Sequence, residues 1–166
     1  MERWAREAAR ASPEVGRAGG IAVAVALVVS SDGPSRALRV AVVDDDSDFL
    51  TLMEQVLTDE GYDVDLMRGF RDAHEHVRAT HPDLVICDIV MKEEERGWEL
   101  VELLTLDPQT AGIPLIVCSA AVVSLEERRQ VLAEQGIRSI AKPFDLVTLV
   151  DVIKDALGSR SQPARM

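Results

Sequence analysis

The sequence predicts an α/β domain built on a doubly wound parallel sheet, and three observations carry that expectation. From residue 37 onward, short apolar runs alternate five times with segments of helical period, the pattern of a parallel sheet covered on both faces. The helical segments carry legible start and stop signals. The polar residues of interest fall just past the apolar runs, where a sheet of this kind opens its binding crevice.

Residues 1–36 stand apart as an N-terminal extension. They hold five Arg (3, 6, 10, 17, 36) against four acids (2, 7, 14, 32), whereas the whole chain of 166 residues has a formal net charge of -11. The acidity therefore belongs to residues 37–166. Within the extension an Arg- and Ala-rich stretch precedes the apolar run Ile21 to Val29 and the breaker Ser30-Ser31-Asp32-Gly33-Pro34. Nine apolar residues are too few to span a bilayer, so no membrane span is expected. The order of basic, apolar and small residues mimics a secretory signal, and the Ala/Val alternation mimics a strand. The expectation here is a disordered or loosely docked extension.

Candidate strands are Arg39–Val43, Tyr62–Met67, Leu84–Cys87, Pro114–Cys118 and Ser139–Ala141. The first helix starts at Ser47, with Asp46 or Ser47 as its cap. It carries Phe49, Leu50, Met53, Val56 and Leu57 on one stripe, and Gly61 is placed to stop it. The fourth opens on Ser124-Leu125-Glu126-Glu127, a capping-box pattern. The last puts Leu146, Leu149, Val150, Ile153, Ala156 and Leu157 on one face before Gly158. Residues 37–158 thus form the domain and 159–166 a C-terminal tail.

Composition narrows the function. A hydrophobic content of 47% suffices for one real core. The acidic balance argues against direct nucleic-acid binding, which needs a positive footprint. Cys87 and Cys118 sit inside apolar runs and read as buried thiols; their pairing is conceivable only if the runs are adjacent strands. His74, His76 and His81 lack metal-ligand spacing, and His74 shares a helical apolar face with Phe70, Ala73 and Val77.

Asp44 and Asp45 follow the first apolar run, Asp88 the third, Ser119 the fourth and Lys142 the fifth. In a flavodoxin-like five-stranded sheet of order 2-1-3-4-5, the second strand lies at the edge and the other four ends converge. Three carboxylates held together repel one another unless a cation is present, and an all-oxygen cluster suits Mg²⁺ completed by a phosphate. A carboxylate nucleophile, a metal, a hydroxyl and an ammonium are together what phosphoryl transfer requires.

VAVVDDDSDFL, PDLVICDIVM, IPLIVCSAA and AKPF, in that order, resemble the receiver domain of two-component response regulators over residues 37–158. The resemblance implies that Asp45 and Asp88 bind Mg²⁺ directly, that Asp44 acts mostly through water, and that the Val90 carbonyl also ligates. It implies that Asp88 accepts phosphate from a phosphohistidine, carried by a sensor histidine kinase or a phosphotransfer protein. Ser119 would contact a phosphoryl oxygen, Lys142 would pair with its charge, and Lys142-Pro143 is often cis in this family. A cytoplasmic location follows from the need for intracellular phosphodonors.

Departures from the family pattern are informative. Lys92 replaces the usual Pro, and Gly97 lies nine positions after Asp88 rather than eight, with Lys92-Glu93-Glu94-Glu95-Arg96 between. Ser139 stands where the family commonly has Tyr or Phe, so a switch built on a turning ring cannot operate unchanged. Val90 and Ala121 flank the approach of a hydrolytic water and cannot orient it, which predicts a long-lived phosphoryl group. Two rival functions are a degenerate receiver acting as a phosphorylation-independent scaffold and a haloacid dehalogenase-type phosphatase using Asp44-x-Asp46. The second leaves Asp88 without a role. Only a short tail follows the last helix, so signalling by contact with a downstream protein is expected. Glu126, Arg128, Arg129, Asp151 and Lys154 populate the face that family members present to partners. The expected chemistry is self-phosphorylation rather than turnover of a substrate.

Overall fold

The computed structural model describes residues 36–90 and 97–158. The N-terminal extension up to residue 35, the loop residues 91–96 and the tail from residue 159 lie outside the described residues.

The first apolar run forms β1 (Arg39–Asp44), and the chain then alternates through α1 (Ser47–Asp59), β2 (Asp63–Arg68), α2 (Ala73–Thr80), β3 (Leu84–Asp88), α3 (Gly97–Leu106), β4 (Leu115–Ser119), α4 (Val122–Glu134), β5 (Arg138–Ala141) and α5 (Leu146–Gly158). All strand pairs are parallel and the order is β2-β1-β3-β4-β5, as expected. β3 and β4 are buried at every residue, because helices cover both faces.

Right-handed crossovers decide which helix covers which face: α1 leads leftward from β1 to β2, whereas α2, α3 and α4 lead rightward. The cores follow. Val40, Val42, Ile86 and Ile116 pack with Leu50, Met53 and Leu57 of α1 and Leu149, Ile153 and Ala156 of α5. Ala41, Val43, Val85 and Val117 pack with Val77 of α2, Leu100, Val101 and Leu104 of α3, and Leu125 and Leu132 of α4. Cys87 belongs to this second cluster and Cys118 to the first. The strands are adjacent, but Cys87 pairs in register with Val117 and Cys118 with Asp88. The pleat sends the two thiols to opposite faces, which excludes their pairing.

Most differences from the sequence reading lie at element ends. β1, β3 and β4 each run one residue further, so Asp44, Asp88 and Ser119 are the last strand residues rather than the first loop residues. α1 is capped by Asp46, whose side chain accepts from the Asp48 and Phe49 N–H groups, and Gly61 follows it at φ +87. The capping box at Ser124 is not used. α4 begins two residues earlier at Val122, with Ala121 at the cap, and Ser124 lies in its first turn, where its Oγ accepts from Trp98 Nε1 at 3.3 Å. Leu146 is 40% exposed at the start of α5, where the helix overhangs the sheet, and Gly158 is the last helical residue rather than the first beyond it. His74 is not a core residue: its Nε2 lies 3.0 Å from Asp107 Oδ2, which joins α2 to the end of α3.

Candidate functional site

Four chain segments bring their polar residues to one end of the sheet. Asp44 ends β1, Asp88 ends β3, Ser119 ends β4 and Lys142 follows β5. Asp44 is 1% exposed, Asp88 7% and Ser119 0%. β2, at the sheet edge, contributes no such group.

The geometry centres on the Lys142 ammonium. Its Nζ donates to Asp44 Oδ2 at 2.7 Å and to Asp88 Oδ2 at 2.9 Å, and it sits 3.9 Å from the centroid of the Phe49 ring. Phe144 meets Phe49 edge to face, with centroids 6.1 Å apart. The other carboxylate oxygens are held by the backbone: Asp44 Oδ1 accepts from the Asp46 N–H at 2.8 Å, and Asp88 Oδ1 from the Val90 N–H at 3.1 Å. Ser119 Oγ accepts from the Ala121 N–H at 2.9 Å, and the Ser119 carbonyl accepts from the Lys142 N–H at 2.8 Å. The Lys142-Pro143 bond is cis.

Burial pushes the Asp44 carboxyl above its ordinary pKa, although the Lys142 ammonium and the Asp46 N–H pull the other way. For Lys142, burial favours the neutral amine, but hydrogen bonds to Asp44 and Asp88 outweigh it and hold the ammonium above its ordinary value. Asp45 is half-buried immediately after β1, and Val90 half-buried two residues after β3. Among the described residues, no three His, Cys, Asp or Glu side chains gather closely enough to hold a metal ion. The ammonium is the cation that the buried carboxylates share.

Phe49 is a site residue that the periodicity of α1 conceals. Its place on the α1 stripe assigns it to the core, yet the start of α1 stands over the strand ends, where an aromatic ring can face the ammonium. Gly97 has a reason that spacing alone does not reveal. A Cβ there would lie 2.3 Å from the Asp88 carbonyl oxygen. A groove of about 240 Å³ at the opposite end of the sheet is lined by Leu104, Thr110, Ile113 and Ile137, and among the described residues Arg138 is the one charged side chain on it. The titratable chemistry is at the carboxyl ends.

A five-stranded parallel sheet of this order, with a buried aspartate pair and a lysine at its carboxyl end, is the arrangement expected of a receiver domain. The chain belongs to the response regulator receiver domain family, whose model matches residues 40–154. It is 33% identical over 120 residues to the transcriptional regulatory protein ZraR of Escherichia coli K12, a match covering 72% of this chain and 26% of that protein. The chain thus spans about a quarter of ZraR. It is 28% identical over 120 residues to the polar-differentiation response regulator DivK of Brucella ovis, covering 72% of this chain and 95% of DivK.

Among solved structures, a response regulator from Desulfuromonas acetoxidans matches with a TM-score of 0.63 and 31% identity, covering 74% of this chain and 98% of that one. The chemotaxis regulator CheY4 of Vibrio cholerae matches with a TM-score of 0.63 over 73% of this chain and 99% of its own; at 24% identity it speaks for the fold alone. Receivers are signalling domains of two-component phosphorelays. Among the described residues, no helix is long and apolar enough to cross a membrane. The phosphatase reading loses its basis as well, because Asp46 serves as the N-cap of α1.

Proposed function

We propose that Asp88 is the phosphoacceptor of a Mg²⁺-dependent response regulator receiver that takes its phosphoryl group from a phosphohistidine and signals by protein contact. One observation carries the reading: Lys142 Nζ bridges two buried carboxylates, Asp44 and Asp88, at the carboxyl end of the sheet. Two buried carboxylates share a single positive charge there, an arrangement that a divalent cation and an incoming anion can complete.

The donor chemistry, carboxylate and carbonyl oxygen, suits a hard divalent ion, although among the described residues only two of the carboxylates, Asp44 and Asp88, are gathered on one cation, the ammonium. Asp45, Asp88 and the Val90 carbonyl would hold Mg²⁺ directly, with Asp44 acting through water. When bound, the metal supplies positive charge that neutralises the carboxylates and the phosphoryl oxygens together. An Asp88 carboxylate oxygen attacks phosphorus in line. The new O–P bond forms as the N–P bond of the donor histidine breaks, and the electron pair stays on the imidazole nitrogen. Lys142 moves its charge from the carboxylates to the transferred group. Ser119 Oγ gives up the Ala121 N–H and donates its own proton to a phosphoryl oxygen.

Acetyl phosphate with Mg²⁺, followed by intact-mass measurement, tests the assignment. One phosphate on the wild type and none on Asp88→Asn is expected; no phosphate on the wild type would indicate a scaffold instead. Neither Val90 nor Ala121 carries a group that can orient water, so the aspartyl phosphate persists for minutes or longer in a radiolabel chase. Decay within seconds would refute that. Phosphotransfer profiling against histidine kinases and phosphotransfer proteins identifies the donor.

A further inference from the structure

Gly97 opens α3 in a seat without slack. A Cβ on it would lie 2.3 Å from the Asp88 carbonyl oxygen and 2.4 Å from the Ile89 Cα, and its N–H donates to the Ile89 carbonyl at 2.9 Å. At that range the backbone after β3 cannot shift without carrying the start of α3 with it. The next residue, Trp98, is 7% exposed and reaches α4. Its Nε1 donates to Ser124 Oγ at 3.3 Å, and the Arg128 guanidinium lies 4.4 Å from the centroid of its ring. Ser124 and Arg128 are four residues apart and share one face of the first two turns of α4.

That helix is weakly seated. Leu125 and Leu132 are the buried residues among its 13, and the cap residue Ala121 makes no side-chain hydrogen bond. A helix with so little buried surface is cheap to displace. Ser119 Oγ, bonded to the Ala121 N–H, holds the start of α4 from the other side.

We propose that Trp98 passes the state of the Asp88 loop to α4, coupling the acceptor site to that helix in a chain where position 139 holds Ser. The inference rests on the reading of Asp88 as phosphoacceptor. Phosphorylation repositions residues 88–90, Gly97 carries the shift into α3, and the indole drags or releases the first turns of α4. When Ser119 turns toward a phosphoryl oxygen its hold on Ala121 is lost, and the Trp98 contacts then decide where α4 settles. Trp98 is a positioning residue and touches no reacting atom.

The chain has two tryptophans, Trp4 and Trp98, so Trp4→Phe leaves Trp98 as the lone indole. In that background the full chain is treated with acetyl phosphate and Mg²⁺. Intact mass reports phosphorylation; Trp98 emission and hydrogen exchange of residues 122–128 report the coupling. Phosphorylation is expected to shift the emission and to change α4 exchange by about fivefold or more. The pair Ser124→Ala and Arg128→Gln, at a half-buried and an exposed position away from the acceptor site, is expected to keep the phosphorylation rate while cutting the exchange response below about twofold. Trp98→Phe keeps a ring but loses the N–H, and should give the same loss. Phosphate gained with unchanged emission and unchanged α4 exchange overturns the coupling and leaves the Asp88 reading standing. A full exchange response in the Ser124/Arg128 variant also overturns it, and no phosphate on the wild type overturns both.

Discussion

Asp44 and Lys142 both bind their protons more tightly in the fold, so the contribution of each to stability falls as the pH rises. Burial raises the Asp44 carboxyl above its ordinary 3.8, so its ionisation is opposed in the folded state and its contribution is unfavourable at neutral pH. The Lys142 ammonium is opposed by burial but raised above its ordinary 10.5 by the bonds to Asp44 and Asp88. Its stabilising contribution is therefore complete below 10.5 and is lost as the pH rises through the higher folded value. Lys142→Met would leave two buried carboxylates without a cation, costing roughly 3–5 kcal/mol in denaturant melts at pH 7. Mg²⁺ should return more stability to this variant than to the wild type, because no ammonium competes for the oxygens. The variant should also lack the part of the wild type's alkaline loss above pH 10.5 that Lys142 supplies. Equal melting of the two proteins in metal-free buffer would show that the bridge contributes nothing.

At the scale of elements, α3 and α4 differ most from what the periodicity conveys. α3 starts where it does because Gly97 fits against the Asp88 and Ile89 backbone and no larger residue can. Gly97→Ala must push α3 or the end of β3 aside, a cost of about 2–3 kcal/mol by the measure of overpacked cores. The acetyl phosphate reaction should slow in parallel, since the displaced backbone carries Asp88. Wild-type stability and wild-type phosphorylation in this variant would show that the seat is slack. For α4, Ser124 and the following Glu residues present a convincing start signal, yet the helix begins at Val122. There the backbone is anchored by Ser119 Oγ and by the Val122 N–H donating to Ala120 at 3.0 Å. The side chain that ends the preceding strand, five residues before Ser124, outcompetes the capping box.

For the molecule as a whole, alternation across the pleat governs the thiols. Cys87 and Cys118 are free and buried in different cores. Burial pushes the Cys118 thiol up to about 12 and raises Cys87 further. Oxidants should therefore form no disulfide between them in the native protein, and a thiol reagent should modify both only after unfolding. A cross-linked species of native mobility would contradict the two-core arrangement. The five elements of each type were readable from apolar runs and turn signals, and the convergence of Asp44, Asp88, Ser119 and Lys142 from the rule that parallel sheets bind at their carboxyl ends, once the flavodoxin-like strand order was assumed. Those features depend on local period and on chain direction, both of which are written in the residues.

What the sequence could not determine depends on distances between residues far apart in the chain. The Lys142 bridge spans 98 residues to Asp44 and 54 to Asp88. Phe49 passes from stripe residue to site wall because its ring faces the Lys142 ammonium, and His74 from core to a hydrogen-bond partner of Asp107. Periodicity tells a side chain which face it is on. Only the packed structure decides which charge it meets there, since the strength of a buried electrostatic contact depends on a few ångströms that no local pattern encodes.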